Sequence, residues 1–255
     1  MVQVTCAPGM GLAFLNVTRL SFQRLTITGC GLNGSNAVSL NSDINTMVDL
    51  FTQLAEDINV AVVIASCTDV VMDHVTIVNT TGLGLVGVNL AGESSFTNNE
   101  FSFNMGEKCF LLDDDYGQPK NRTVGGGAQF IYVDYVDQSN SSPVHLNLDN
   151  NTFSSNSYCG SELVFEIEYV FIKSIQNASY YVGAGGGLSF SLAQREYSVS
   201  ISVQRCTFEN NTATIGSAVA VLWYAGVQNT SVVISDCTLS NNGIQGLKKN
   251  DLFFV

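Results

Sequence analysis

Apolar and polar residues alternate along this chain in one short frame that recurs six times. Its clearest copy is Ile201, Val203, Cys206, Phe208 and Asn211, and Val232, Ile234, Cys237, Leu239 and Asn242 repeat the same spacings. Earlier copies are Leu146, Leu148, Asn151, Phe153, Asn156 and Ser94, Phe96, Asn99, Phe101, Asn104. Two looser ones are Val70, Met72, Val75, Ile77, Thr80 and Leu20, Phe22, Leu25, Ile27, Cys30. Each copy alternates with period two on either side of a one-residue offset. That pattern predicts two short strands meeting at a bend, with one face turned inward. Recurrence of such a unit is the mark of a solenoid, in which no coil could bury its apolar side alone.

The last apolar position recurs at 27, 77, 101, 153, 208 and 239. A step of 24 residues, from 77 to 101, fits one coil of three strands and three turns. The longer steps fit either a coil carrying an insertion or two coils of which one is poorly marked. Stacked coils place like on like about 4.8 Å apart, so Asn104, Asn156, Asn211 and Asn242 are expected to form an amide ladder at a turn. A β-sandwich also has short alternating strands, but gives no reason for Asn to stand three residues after the same apolar position four times.

Outside the frame, GGGAQFIYV at 125–133 mirrors GAGGGLSFSLA at 183–193, and TGLGLVGVNL at 81–90 and TIGSAVAVLW at 214–223 read as the same strand in other coils. Met47, Leu50, Phe51, Leu54 and Ile58 share one helical face, so one short covering helix is expected near 44–58. Polar loops are expected at 107–127 and 137–143. No shift of composition marks a second domain, so residues 1–255 are expected to be a single β-helix domain.

The Gly-Gly-apolar element, at Gly126-Gly127-Ala128 and Gly186-Gly187-Leu188, alternates with Phe-x-x-Asn at Phe101–Asn104, Phe153–Asn156 and Phe208–Asn211. This resembles the repeat of the polymorphic outer-membrane proteins of bacteria. It is also similar to the β-helix ectodomains of large animal surface proteins. Both have the pectin-lyase-like fold, so the resemblance implies a right-handed parallel β-helix over most of 12–246. It speaks to fold more than to activity. The sequons and extra loops match the animal type better, and no autotransporter barrel is expected within residues 1–255.

Composition narrows the partners. Charged residues make up 13% of the chain, and the net charge of −12 disfavours nucleic acids and anionic lipid surfaces. No apolar stretch is long enough to cross a bilayer, so no membrane insertion by this segment is expected. Nine Asn-x-Ser/Thr motifs occur, at Asn16, Asn33, Asn79, Asn121, Asn140, Asn150, Asn177, Asn210 and Asn229. With 24 Asn and 44 Ser plus Thr, chance supplies about four. None falls on an inward position, so glycosylation and an extracellular or cell-surface location are expected. No basic leader with an apolar core precedes Cys6; a secreted chain would then be a fragment of a longer one.

Candidate chemistry is sparse. Enzymes of the pectin-lyase-like fold use clustered carboxylates, or calcium beside a basic residue. Polygalacturonase-like members carry paired Asp, a Gly-His-Gly and an Arg-x-Lys. This chain has Asp113-Asp114-Asp115 without the other two motifs, and the triplet reads as a solvated loop rather than a calcium site. His74 and His145 stand alone at outward strand positions, and no cluster of acids accompanies a basic residue at strand spacing. No catalytic residue, metal or cofactor is therefore expected. The reading is a non-catalytic extracellular or cell-surface module with a structural, ligand-binding or adhesive role, its partner a glycan or an extracellular protein. The alternative is a polysaccharide lyase or glycoside hydrolase of this fold.

Seven cysteines leave at least one without a partner in the chain. Cys109 and Cys159 follow the Asn turn in successive copies, where long loops leave the solenoid, and are expected to form a disulfide. Cys206 and Cys237 share an inward position; stacked with parallel side chains, a poor disulfide geometry, they are expected to stay thiols. Zinc is not expected, since no Cys-x-x-Cys occurs.

Overall fold

In the computed structural model the described residues are 2–6, 11–30, 60–105, 126–132, 143–158, 186–192, 197–213, 216–223, 227, 229–243 and 252–254. They form a right-handed parallel β-helix of three sheets, with six complete coils. One coil, taken as the pattern, runs Leu83–Val88 in sheet I, Gly92–Thr97 in sheet II and Glu100–Ser102 in sheet III. Sheets I and III each have seven strands and sheet II has six. A two-stranded pair, Ser157–Tyr158 with Thr212–Ala213, continues the turn after sheet III.

The frame is the inward half of sheets II and III. In sheet III, Ile27, Ile77, Phe101, Phe153, Phe208 and Leu239 lie in one register. Each long step between them is therefore one coil with an insertion, never two coils. Phe101 and Phe153 stack with centroids 5.0 Å apart and planes 7° apart, and Phe153 repeats this on Phe208 at 5.0 Å and 4°. Identical rings at a coil-sized spacing must stack in this way, and stacking of this kind adds to their burial.

The corner between sheets II and III is the offset seen in the sequence. One outward residue adopts a left-handed backbone, and the next residue points inward. Arg24, His74, Asn98, Asn150, Arg205 and Asp236 hold this position, with φ between 51° and 56°. One left-handed residue turns the chain without breaking the coil-to-coil bonds, and the next side chain must then face the core. No insertion falls at this corner in any of the six coils. The stretches 31–59, 106–125 and 159–185 connect sheet III to sheet I, and 133–142 connects sheet I to sheet II.

The expected ladder occupies the corner after sheet III. Asn156 Oδ1 accepts from Asn104 N and Nδ2, and Asn211 Oδ1 accepts the same pair from Asn156. Asn242 does so for Asn211, while each Nδ2 also donates to a strand carbonyl. A second, shorter ladder joins Val75, Asn99 and Asn151 at the corner between sheets II and III. There Cys206 and Cys237 take over the Asn position.

The link between Gly-Gly and Phe-x-x-Asn is steric. A Cβ on Gly127 would meet Phe153 Cδ1 at 2.9 Å and Asn156 Nδ2 at 3.1 Å, besides the Gly187 carbonyl. A Cβ on Gly187 would meet Phe208 at 3.0 Å and Asn211 at 3.2 Å. The glycine column gives the phenylalanine stack and the Asn ladder the room they share. The central strands of sheet I, from Val60–Ala65 to Leu188–Leu192, are buried on both faces throughout their length, so they read as apolar runs without alternation, while Leu12–Leu15 is half-buried.

The helix expected near 44–58 and the loop at 107–127 up to Gly125 lie outside the described residues, as do 137–142 of the second loop. Among the described residues, no helix is long and apolar enough to cross a membrane.

Candidate functional site

Sheets II and III, joined by a corner without insertions, present an outward face whose strands are described in all six coils. On it the corner residues and the outward row beside them make a hydrogen-bonded strip. Asp73 Oδ1 accepts from Thr97 Oγ1 at 2.9 Å and Asn98 Nδ2 at 3.0 Å, one coil up, and lies 2.9 Å from His74 Nδ1. Asn150 Nδ2 donates to Asn98 Oδ1 at 2.8 Å, carrying the strip across another coil. Asp149, beside Asn150, pairs with Arg205 of the next coil.

The hydrogen bonds from Asn98 and His74 hold the Asp73 carboxyl at about 2, well below the usual carboxylate range. It stays ionised and accepting at neutral pH. Register puts Asp73, Thr97 and Asp149 in one row, so the two carboxylates are two coils apart, roughly 9.6 Å at the sheet spacing. Two carboxylates two coils apart are not a cluster, but the row they share was not foreseen from the sequence. The signal was present: Asp73 and Asp149 each follow an inward frame position, Met72 and Leu148. The frame tracked only inward residues.

His145 is exposed on its strand as expected, 3.9 Å from Glu93. His74 is exposed but stands at the left-handed corner rather than on a strand. The strip uses it as a neighbour of Asp73. Asp113–Asp115 lie outside the described residues. Among the described residues no three His, Cys, Asp or Glu side chains group as metal ligands.

Five sequon asparagines are described: Asn16, Asn79, Asn150, Asn210 and Asn229. All are exposed, and all have a left-handed backbone, with φ between 53° and 57°. Asn tolerates that conformation better than other residues with a side chain. The residue two further on is Thr or Ser, exposed or half-buried, and at Thr152, Thr212 and Ser231 it lies in the next strand. The corner thus generates Asn-x-Thr by itself, and accounts for part of the excess over chance. Asn33, Asn121, Asn140 and Asn177 lie outside the described residues.

Cys109 and Cys159, the expected disulfide pair, also lie outside them. A disulfide not foreseen joins Cys6 to Cys30, whose Cα atoms are 4.8 Å apart on neighbouring coils. Its signal was the 24-residue separation, one coil length, ending on the ladder position of the first copy. Cys67, Cys206 and Cys237 are free, the last two as expected.

Compared with protein-family models, with curated proteins and with solved structures, the chain matches none, so its assignment to the parallel β-helix fold rests on the strand register and the repeat themselves.

Proposed function

We propose that this chain is a non-catalytic extracellular or cell-surface β-helix module whose face formed by sheets II and III binds a neutral glycan chain. The observation that carries the reading is the strip from His74 and Asp73 through Asn98 to Asn150. It offers fixed donors and acceptors at a regular spacing along a face that no insertion interrupts. An extended polymer with repeating hydroxyls is the ligand such an array suits. The net charge of −12 disfavours polyuronates. Asp73, held ionised, is an acceptor for hydroxyls and not a proton donor at neutral pH.

Glycosylation belongs to the same reading. Of the five described sequons only Asn150 stands at the corner of this face; Asn16 and Asn229 lie between sheets I and II, and Asn79 and Asn210 follow sheet III. Glycans at those four leave the face open, whereas one on Asn150 would cover it. Peptide mapping of protein from secreting cells should find Asn150 unmodified. The likeness to polymorphic outer-membrane proteins and animal β-helix ectodomains agrees with a surface role.

The second reading, a glycoside hydrolase, has one observation in its favour. Asp73 and Asp149 stand at about the separation that inverting enzymes use, roughly 6.5–9.5 Å between carboxyl groups. Against it, such a pair needs one protonated acid, while Asp73 is held ionised and Asp149 is ion-paired with Arg205. A glycan array followed by calorimetry separates the readings. Binding of a neutral oligosaccharide without release of reducing ends, weakened at least tenfold in Asn98→Ala, is expected. Reducing-sugar release that vanishes in Asp73→Asn or Asp149→Asn would replace the first reading by the second. Failure to bind any neutral glycan at millimolar concentration would sink the first.

A further inference from the structure

We propose that Cys206 and Cys237 form a dithiol site that exchanges with small-molecule disulfides and closes into a second coil-to-coil disulfide. The two residues hold the same position on neighbouring coils, since Thr207 pairs with Thr238 and Phe208 with Leu239 immediately after them. Every other coil from the third onward places Asn there: Asn99 and Asn151 carry the ladder that Cys206 and Cys237 continue. Asn151 Nδ2 approaches Cys206 Sγ at 3.9 Å, so the thiol sits where the next amide oxygen would be.

Stacking does not by itself prevent a bridge. In-register Cα atoms of a parallel pair are about 4.8 Å apart, inside the range that disulfides span. Cys6 and Cys30 already bridge neighbouring coils of this solenoid at a Cα separation of 4.8 Å. The two thiols stand close enough to perturb each other's titration, each also bonding a strand carbonyl, Cys206 to Gln204 and Cys237 to Ser235.

The two thiols are not equivalent. Cys206 is buried, 1% exposed, whereas Cys237 is partly open to solvent. The neighbouring Cys206 lowers the Cys237 thiol, while the neighbouring Cys237, together with burial, pushes Cys206 up. Cys237 is therefore the attacking thiolate and Cys206 the resolving thiol. The Cys237 thiolate attacks one sulfur of a disulfide RSSR. The S–S bond breaks, RS⁻ leaves, and a Cys237–SR mixed disulfide forms. Cys206 then loses its proton to solvent and attacks Cys237 Sγ, expelling the second RS⁻. The protein dithiol gives up two electrons and two protons, and RSSR is reduced to two RSH.

Such a bond would pin the fifth coil to the sixth at the corner beside the proposed binding face. Its test uses the whole 255-residue chain, in buffers of oxidised and reduced glutathione at several ratios. Samples are quenched by alkylation after acid unfolding, and peptides are mapped without reduction. The expected result is a Cys206–Cys237 peptide pair, lighter than the two thiols by two hydrogens, that forms faster as pH rises and the thiolate fraction grows, and reopens with dithiothreitol. Cys206→Ser should instead accumulate one glutathione on Cys237, and Cys237→Ser should form neither species. Full alkylation of both thiols in wild type under excess oxidised glutathione would overturn the proposal. So would a wild-type mixed disulfide that never closes. Both of these outcomes are measured on wild type alone, whatever the folding of the variants.

Discussion

Replacing Asn156 by Ala removes the central rung of the long ladder and leaves the strands on either side in place. Asn156 is 1% exposed and makes four side-chain bonds: from Asn104 N and Nδ2, both at 3.1 Å, to Phe101 O at 2.8 Å and to Asn211 Oδ1 at 3.0 Å. The cost is not four equal losses. Asn104 Nδ2 keeps the Ile77 carbonyl and Asn211 Oδ1 keeps the Asn156 backbone N–H, so those two ends are only weakened. The Asn104 N–H instead faces a hole, at about 1–3 kcal/mol for a buried donor left unpaired. With the remaining bonds at about 1 kcal/mol each, the whole comes to roughly 4–6 kcal/mol. That is a large share of the roughly 5–15 kcal/mol typical of a domain. The control is Asn150→Gly, which keeps the left-handed corner and removes one exposed amide bond of 2.8 Å. It should cost under about 1 kcal/mol. Urea melts followed by circular dichroism and by the single tryptophan, Trp223, measure both. Losses equal within about 1 kcal/mol would mean that the ladder is ornament and that stability lies in the apolar stack alone.

Phe208→Ala should cost about 3–5 kcal/mol in the same melts, and Glu209→Ala, one residue along and exposed, almost nothing; equal costs would refute the alternation. Gly127→Ala should destabilise by at least about 2 kcal/mol, because its Cβ meets the Gly187 backbone and Phe153; a neutral result would separate the glycine column from the ladder. Asp73 has a folded-state value of about 2, below that of the unfolded chain. Its contribution is thus fully present above about pH 4 and lost as pH falls towards 2, and Asp73→Asn should flatten that limb of the stability curve. A carboxyl carbon of Asp73 titrating near the ordinary carboxylate value by NMR would contradict this. Phe103 has a left-handed backbone, φ 54°, and is 50% exposed; Phe103→Asn should gain about 1 kcal/mol from that strain, and a loss would show that the ring is held by contacts worth more.

Sheets II and III were legible because each has one face in the core and one outside, so every inward residue repeats at the next coil. Phe101, Phe153 and Phe208 could be matched across insertions that differ in length, since register depends on the strand and not on the loop. Sheet I was recognised from its glycines rather than from alternation, because burial on both faces erases the period-two signal. The strip on the outer face was missed for a related reason. Solvent accepts many polar residues, so the outward row of Asp73, Thr97 and Asp149 has no apolar period to follow, and only the three-dimensional register brings it together. The Cys6–Cys30 bridge needed the first strand, Val2–Thr5, which lies before the first copy of the frame.

The ladder also has a mechanical consequence. Sheet bonds and amide bonds alike run from coil to coil, along the axis of the solenoid. Tension pulling two coils apart along that axis loads the bonds of three sheets together, and none can yield alone. A force drawing a single strand sideways out of the stack meets them one after another. The same molecule is then stiff as a tie rod and weak to peeling, and an anchor at the ends of the stack would bear far more load than one attached to a single coil.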